Sequence, residues 1–444
     1  MKWENISAIS TALSPSGVAV IRISGESPLS VAEKCFKPNG KIKVRDFEPN
    51  KMYVGEIITD DFTDYGMCVY FKAPKSFTGE DIVEFHVHGG LAITKGVLRQ
   101  TLKCGARLAE NGEFTKRAFM NGKLSLSSAE GLINMINAET RAGVKAGYSL
   151  YREKLNQEVM KMQDLLTDVL AGIDADMDFP EEDLENQTTL EVKDALNKVI
   201  EKIDQLLPTF KTGRSIVNGV KVGIVGRPNT GKSSLLNALL SYDKAIVSSI
   251  AGTTRDIVEG NIEYNGVRFN LYDTAGIRES GEEIEEMGVK LSEKIINSSD
   301  LILFIKDGTK ETDLDKEIFE KVKDKNIIVV KNKLDKDGFS KDGADIFVSA
   351  KANENIEKLK AKMYDKTVGD VDLNGEFLCE ERHFLALSNA KEKLSQALNA
   401  VGVVTLDILA IDIKDGWDYL GEISGKTATE DIIDNIFKKF CVGK

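Results

Sequence analysis

The 444-residue chain contains no apolar run approaching the roughly 18 residues that cross a bilayer, so it reads as a protein with no membrane partner. Cysteine is scarce: five residues, an odd number, with no Cys-x-x-Cys pair, suit a reducing compartment and argue against zinc. The opening Met1-Lys2-Trp3-Glu4-Asn5 lacks the basic and apolar regions of a signal peptide and the Arg/Ser bias of a transit peptide, so the expectation is a cytoplasmic protein. Positive charge is also in deficit. Lys and Arg number 59 against 71 Asp and Glu, a net charge of −12 and a pI near 5.1, which excludes nucleic-acid binding through bulk electrostatics and leaves only a local or shared contact. The pairs Lys116-Arg117 and Lys438-Lys439 are small basic spots that a solvated face explains as well as a phosphate contact does. His86 and His88 alternate along a strand pattern and read as structural. Internal repeats and low-complexity stretches are absent.

What is present is a phosphate loop. Gly226-Arg227-Pro228-Asn229-Thr230-Gly231-Lys232-Ser233 follows the apolar run Val220 to Val225 and opens a helical stretch from Ser234 to Leu240. Glycines at both ends let the backbone turn tightly, so that successive N–H groups and a helix N-terminus face phosphates; Lys232 supplies a charge and Ser233 a hydroxyl for Mg²⁺. Asn332-Lys333-Leu334-Asp335 comes after the strand pattern Ile327 to Val330, and Ser349-Ala350-Lys351 after Ile346 to Val348. The Asp335 carboxylate can accept from both N1–H and the exocyclic amine of guanine, whereas adenine offers an acceptor and no amine there. The nucleotide is therefore GTP. Between these motifs lie Gly252-Thr253-Thr254-Arg255-Asp256 and Asp273-Thr274-Ala275-Gly276, the latter closing a strand from Val267 to Tyr272. They read as two switches: Thr254 offers an oxygen to Mg²⁺, Asp273 holds a metal-bound water, and the N–H of Gly276 reaches the γ-phosphate.

Ile277 occupies the position where Ras-like enzymes carry a water-orienting glutamine. The carboxylates Glu279, Glu282, Glu283, Glu285 and Glu286 follow, and spacing alone does not choose among them. No arginine is placed as a finger, a group worth about 10³ to 10⁵ in rate. Asn229, together with carbonyls from Ser248 to Thr253, could instead cage a monovalent cation beside the phosphates.

Length over about 150 suggests three domains. Residues 1–118 alternate short β patterns (Val18 to Ile21, Met52 to Val54, Met67 to Phe71, Ile82 to Phe85) and read as an α+β domain. A capping box at Ser127-Ser128-Ala129-Glu130 opens helical text. One stripe, Leu155, Val159, Met162, Leu166, Val169 and Ile173, and a second, Val192, Leu196, Val199, Ile203 and Leu206, flank a break at Asp178 to Asp183. Gly213 begins the link into a GTPase unit, residues 213–369. Helical periodicity returns at Leu385, Leu387, Leu394 and Leu398 and continues to the C-terminus, so residues 119–212 and 370–444 are expected to form one helical domain. The GTPase unit would be an insertion within it.

Several motifs bear a resemblance beyond the GTPase core: Phe77-Thr78-Gly79-Glu80-Asp81, His88-Gly89-Gly90, Gly112 through Lys123, Asp178-Phe179-Pro180-Glu181-Glu182 and Phe440-Cys441-Val442-Gly443-Lys444. Over essentially its whole length the chain resembles the tRNA modification GTPases of the MnmE (TrmE) family. The resemblance implies a fold of an α+β N-terminal domain and a discontinuous helical domain interrupted by a Ras-like P-loop domain. It implies a potassium-activated GTPase that, with the flavoprotein MnmG in a heterotetramer, adds an aminomethyl or carboxymethylaminomethyl group to carbon 5 of the tRNA wobble uridine. It further implies a homodimer formed through the N-terminal domain, and a site for 5-formyltetrahydrofolate or a related one-carbon folate at Arg22, Glu80, Lys123 and Lys444. The nucleotide would be bound by Asn229, Thr230, Gly231, Lys232, Ser233, Ser234, Ser248, Thr253, Thr254, Asp273, Gly276, Asn332, Lys333, Asp335, Ser349, Ala350 and Lys351. Mg²⁺ would sit at Ser233 and Thr254, and K⁺ at Asn229, Ser248, Ile250 and Thr253; Glu285 would orient water, with Lys232 as the phosphate-charge partner in catalysis.

Three positions depart from the family pattern: Asn111 stands where proline is usual, Ser125 where aspartate is, and Glu381 where asparagine is. Cys441 is a nucleophile candidate, and equally a packing residue. A ribosome-assembly GTPase would share residues 214–368 but should carry an RNA module, and no Gly-x-x-Gly clamp is found in a KH context; a purely regulatory GTPase would need no pterin pocket.

Overall fold

The computed structural model describes residues 4–178, 185–241, 260–273, 295–369 and 376–444, which form two compact units: Met1–Ile133 with Gly421–Lys444, and Asn134–Leu420. Among the described residues no helix is long and apolar enough to cross a membrane.

In the first unit the short alternating patterns become a seven-stranded sheet. Its strands are β1 (Ile6–Ile9), β2 (Ser16–Gly25), β3 (Phe36–Pro38), β4 (Met52–Ile58), β5 (Thr63–Phe71), β6 (Asp81–Gly89) and β7 (Arg107–Leu108), in the order β3-β4-β5-β6-β2-β1-β7. All pairs are antiparallel except β1 with β7. Period-2 alternation sends Ile21, Ile23, Tyr53, Ile57, Cys68, Val83 and Phe85 to one face, where helices α1 (Pro28–Cys35) and α2 (Leu91–Lys103) cover them. Met52, Val54, Ile58 and Tyr65, on the other face of β4 and β5, stay exposed.

Helix α3 (Glu113–Met120) leads to α4 (Leu126–Asn137). Its cap corrects the expected box: Ser125 Oγ accepts from the Ser128 N–H at 3.1 Å, while Ser127, Ser128 and Glu130 lie buried inside the helix. Serine and aspartate are both strong N-caps, so Ser125 performs the task that the family's usual aspartate can perform.

The second unit begins with α5 (Arg141–Tyr151), α6 (Lys154–Asp178), α7 (Glu185–Leu206) and α8 (Thr209–Asn218). Both apolar stripes read from the sequence are buried, Leu155 through Ile173 on α6 and Val192 through Leu206 on α7. Gly213 does not begin a linker; it lies within α8, where a Cβ would strike the carbonyl oxygen of Leu378. That close approach brings the entry and exit of the inserted unit together, and Leu378 N–H donates to Thr209 Oγ1 at 3.0 Å.

The inserted unit is a six-stranded sheet of β8 (Val220–Val225), β9 (Gly260–Tyr264), β10 (Val267–Asp273), β11 (Leu301–Asp307), β12 (Ile327–Asn332) and β13 (Ile346–Phe347), in the order β13-β12-β11-β8-β10-β9. Only β9 runs antiparallel. Covered parallel strands carry near-continuous apolar runs, as β8 and β11 do. Among the described residues it also contains helices α9 (Lys232–Ser241), α10 (Asp313–Val322) and α11 (Ile356–Thr367).

The chain then returns to helices α12 (Glu381–Ala400), α13 (Leu406–Ser424) and α14 (Glu430–Phe437). Helix α12 packs on α7, and Gln163 of α6 donates to the Trp417 carbonyl of α13 at 3.0 Å, so the two distant stretches of sequence do meet. Two expectations need correction. Leu385 is 52% exposed; the buried face of α12 is His383, Ala386, Leu387, Ala390, Leu394 and Ala397, and at roughly 100° per residue Leu385 points away from it. The last helix does not join the Leu155–Leu206 stripes: Ile436, Phe437 and Phe440 pack with Phe119, Leu126 and Ala129 in the first unit.

Candidate functional site

At the C-terminal end of β8, flanked by β11 on one side and β10 on the other, the strand order switches direction, which is where open α/β sheets bind ligands. The phosphate loop lies there. Asn229 and Gly231 both have positive φ, 64° and 91°, and a Cβ on Gly231 would collide with the Asn332 amide. The outer carbonyls of the loop are each taken by a side chain. Arg227 O accepts from Thr230 Oγ1 at 3.0 Å and from Lys232 Nζ at 2.9 Å, Asn229 O from Lys333 Nζ at 2.8 Å, and Thr230 O from Asn332 Nδ2 at 3.0 Å. Carbonyls fixed outward leave the N–H groups of the same peptides facing the opposite way, which is the geometry of an anion nest.

Asn332 does a second job. Its Oδ1 accepts from the Ala350 N–H at 3.1 Å, tying the loop after β13 to the phosphate loop. Ser349 Oγ, fully buried, donates to Asp335 Oδ1 at 2.5 Å, and this hydrogen bond holds the exposed Asp335 carboxyl below its ordinary range. Asp335 therefore presents an ionised, oriented carboxylate, with Lys351 two residues beyond its serine partner in sequence. Ser233 Oγ and Asp273 Oδ2 converge at 3.4 Å across the mouth of the loop, a hydroxyl and a carboxylate suited to a divalent ion and its water shell. Ser234 lies exposed in the first turn of α9.

Sequence reasoning missed the charges behind the loop. Asp307 at the end of β11 receives Lys333 Nζ at 2.5 Å and the Thr309 hydroxyl at 2.7 Å; burial opposes its ionisation, but Lys333 and Thr309 outweigh that and hold its pKa at about 2. Arg227 turns away from the nucleotide side, donating from Nε to the buried Asp315 at 3.1 Å and from Nη2 to the Lys310 carbonyl at 2.8 Å. Asp315 in turn closes the capping box of α10 with Thr312. Asp315 completes the local Thr312-x-x-Asp315 pattern, but no local motif announces that it also holds Arg227, 88 positions away, or that Asp307 holds Lys333, 26 positions away. Ser248, Ile250, Thr253, Thr254, Gly276, Ile277 and the carboxylates Glu279 to Glu286, Glu285 among them, lie outside the described residues.

The inserted unit is tied to the helices at one further point. The turn Asn265-Gly266 between β9 and β10 has two positive φ values, 49° and 79°, the signature of a tight hairpin. The Gly266 carbonyl accepts from the Ala142 N–H at 3.2 Å, satisfying one of the free donors in the first turn of α5, while Thr140 caps another. Arg268 of β10, the strand that ends at Asp273, pairs with Glu139.

In the first unit Arg22, Glu80 and Lys123 each have a partner that the sequence did not suggest. Arg22 pairs with Glu84 at 2.7 Å, its cross-strand neighbour, and lies over the rings of Phe77 and Phe114 at 5.3 and 5.7 Å. Burial works against Glu84, yet His86 and Arg22 keep its carboxyl below the ordinary value. Glu80 accepts from Ser24 Oγ at 2.7 Å and from Arg117 at 3.2 Å. Arg117 is thus no solvated spot: its side chain is 2% exposed, bound also to Glu113 and the Glu4 carbonyl, whereas Lys116 pairs with Asp434 at 2.6 Å. Lys123 Nζ donates to the Pro74 carbonyl at 2.9 Å, beside Gly79, whose Cβ would meet Asn121 and Lys123. The chain terminus is carried to the end of β1 by a bridge between Asn111 and Val442 and by Gly443, φ 98°, whose missing Cβ leaves room for the Ile9 carbonyl. Cys441 is exposed. His88 Nδ1 lies 2.6 Å from Asp64.

Comparison with known proteins agrees with this architecture. The family model described as the MnmE helical domain matches residues 126–441, and that of the GTP-binding protein TrmE N-terminus matches residues 5–123. The chain is similar to the tRNA modification GTPase MnmE of Thermoanaerobacter pseudethanolicus, 40% identical over 461 residues with all of both chains covered. The MnmE of Aquifex aeolicus is 40% identical over 451 residues, 99% of this chain and 100% of that one, and the MnmE of Clostridioides difficile 37% identical over 455 residues, 99% of each. With full-length relatives at this level and a family model spanning most of its residues, the chain belongs to the MnmE family.

Proposed function

We propose that this protein hydrolyses GTP and, together with a flavoprotein partner, uses the cycle to add an aminomethyl or carboxymethylaminomethyl group to carbon 5 of the wobble uridine of certain tRNAs. The observation that carries the GTPase half is the cross-bracing of the phosphate loop by Asn332 and Lys333, two residues of the same tetrapeptide that presents Asp335. Base recognition and phosphate cradle are thereby one rigid piece. In this reading Asp335 selects guanine, with Ser349, Ala350 and Lys351 closing the base site; Lys232, Thr230, Gly231, Ser233 and Ser234 hold the phosphates; and Thr254, Asp273 and Gly276 sense the γ-phosphate.

Ser233 and Asp273 fit Mg²⁺, with Thr254 as the further oxygen. Asn229 fits a monovalent cation only through its side-chain oxygen, since its carbonyl is held by Lys333; Ser248, Ile250 and Thr253 are assigned the remaining ligands. Such an ion supplies positive charge beside the β- and γ-phosphates, and Glu285 orients the attacking water. A folate is assigned to the first unit, where the stacked Phe77, Arg22 and Phe114 offer a flat apolar and cationic wall and Lys123 and Lys444 offer charges for its glutamate tail. Glu80 meets the pterin with Arg117 already behind it, so its side chain is held in place rather than recruited. The exposed Met52, Val54, Ile58 and Tyr65 support a homodimer through this unit. Residues 1–118, 119–212, 213–369 and 370–444 serve in this scheme as folate and dimer domain, first helical half, GTPase domain and second helical half.

The test is nucleoside mass spectrometry of bulk tRNA from cells lacking the gene. Loss of C5-substituted wobble uridines, restored by the wild-type gene, is expected; an unchanged nucleoside profile would overturn the modification half of the proposal while leaving the GTPase half standing.

A further inference from the structure

The outer face of helix α5 displays cations and aromatics together. At roughly 100° per residue, Arg141, Val144, Lys145, Tyr148, Tyr151 and Arg152 fall within an arc of about 120°, and every one of them is exposed. The opposite arc, Ala142, Gly143, Ala146, Gly147, Ser149 and Leu150, is buried. The outer face contains three cations and no acid, in a protein whose net charge is −12. Among the described residues none of Arg141, Lys145 and Arg152 has an ion-pair partner, unlike Lys116, Arg268, Lys333 and Lys391, which each hold an acid. Interleaved with them, Val144, Tyr148 and Tyr151 keep 46%, 53% and 38% of their surface in solvent.

Three uncompensated cations over about 16 Å of helix, at 1.5 Å per residue, flank two phenol rings. Cations of this kind neutralise phosphates, and exposed rings stack unpaired bases at about 1–3 kcal/mol each. A protein partner would favour Tyr and Arg but not Lys, which is depleted at such interfaces. We propose that the outer face of α5 is an RNA-docking surface, which holds the backbone and an unstacked base of the substrate tRNA. This inference rests on the tRNA reading above and deepens it. It also meets the difficulty posed by the overall charge: the contact is local, confined to one helix. That helix is the one whose first turn is capped by the Gly266 carbonyl of the GTPase unit, so bound RNA and the strand ending at Asp273 touch the same element.

The experiment uses the full-length protein and fluorescently labelled, unmodified substrate tRNA in anisotropy titrations at several salt concentrations. The triple variant Arg141→Ala, Lys145→Ala, Arg152→Ala should bind at least 10-fold more weakly, and the slope of log affinity against log salt should shrink by about 2, from roughly 0.7–0.9 per phosphate contact. Tyr148→Ala alone should weaken binding about 5- to 50-fold with the salt slope unchanged, the split expected of a stacking contact. GTP hydrolysis and thermal unfolding serve as controls and should match wild type. Equal tRNA affinity and slope in wild type and triple variant would overturn the inference alone. Loss of flavoprotein binding with tRNA affinity intact would also overturn it, by making the face a protein interface. A wild type with no measurable affinity for tRNA would overturn it too, and the nucleoside profile of the deletion would then decide whether the modification reading survives.

Discussion

Replacing Asp335 by asparagine changes one oxygen acceptor into a donor at the point where guanine presents two donors. In the structure the carboxylate is already aimed: Ser349 Oγ binds Oδ1 at 2.5 Å, and a carboxylate oxygen retains a further lone pair for the base. A hydrogen bond to a charged group contributes about 1.5–3 kcal/mol, and an amide N–H turned on the guanine amine leaves an unmatched donor as well. The sum is about 3–4 kcal/mol, or roughly 10²- to 10³-fold in the GTP dissociation constant. Xanthosine triphosphate, with a carbonyl where guanine has its amine, should bind the variant better than it binds wild type, because the new amide can donate to it. Competition titrations with a fluorescent guanine nucleotide measure both constants. Binding depends on the ionised carboxylate, and the Ser349 hydrogen bond lowers its pKa; affinity should therefore stay flat down to the ordinary carboxylate range near pH 4 and fall only below it. In Ser349→Ala that fall should move upward. Unchanged GTP affinity in Asp335→Asn, or equal weakening of GTP and xanthosine triphosphate, would refute the assignment of the base site.

Three other expectations follow from the geometry. Lys333→Met removes the brace on Asn229 and leaves Asp307, 9% exposed, short of its main cation; chemical unfolding at neutral pH should show a loss of about 2–4 kcal/mol. Because Asp307 is held at about 2 against an ordinary 3.8, its contribution is fully present above the unfolded pKa and vanishes as pH drops through 2, so the gap between variant and wild type should close between about pH 4 and 2; a constant gap would place the lost stability elsewhere. Glu285→Ala should lower turnover about 10²- to 10³-fold with GTP affinity within about twofold, whereas loss of binding would make the residue structural. Gly443→Val, at φ 98° against the Ile9 carbonyl, should abolish calorimetric binding of 5-formyltetrahydrofolate while sparing nucleotide affinity, and retained folate binding would separate the C-terminal tail from that site.

The parts of this protein that were legible in its sequence are those whose chemistry is local. A phosphate loop needs its glycines, lysine and serine within eight positions, so Gly226 to Ser233 declares itself, as do strands β8 and β12 with their near-continuous apolar runs. The α6 and α7 stripes follow from helical period alone, because both are buried along their full length. What was hidden depends on distant neighbours. Asp307 and Asp315 look like ordinary solvated acids until folding sets them behind Lys333 and Arg227. Arg117 sits beside Lys116 in sequence, yet the step of roughly 100° between adjacent residues of α3 sends it inward to Glu80 and its neighbour outward to Asp434. Gly213 suggested the start of a link; it is small because another backbone passes, a fact visible only in three dimensions. The last helix carries the same periodicity as α12, and periodicity does not say which partner it will bury against.

Reconstitution puts the main claim to the most direct test. With unmodified tRNA, the flavoprotein partner, a one-carbon folate and GTP, the C5-substituted wobble uridine formed per GTP hydrolysed is measured for wild type and for Glu285→Ala. Product and hydrolysis should fall together in the variant. Wobble uridine modified at the wild-type rate without hydrolysis would contradict the coupling of the inserted GTPase unit to the chemistry on tRNA.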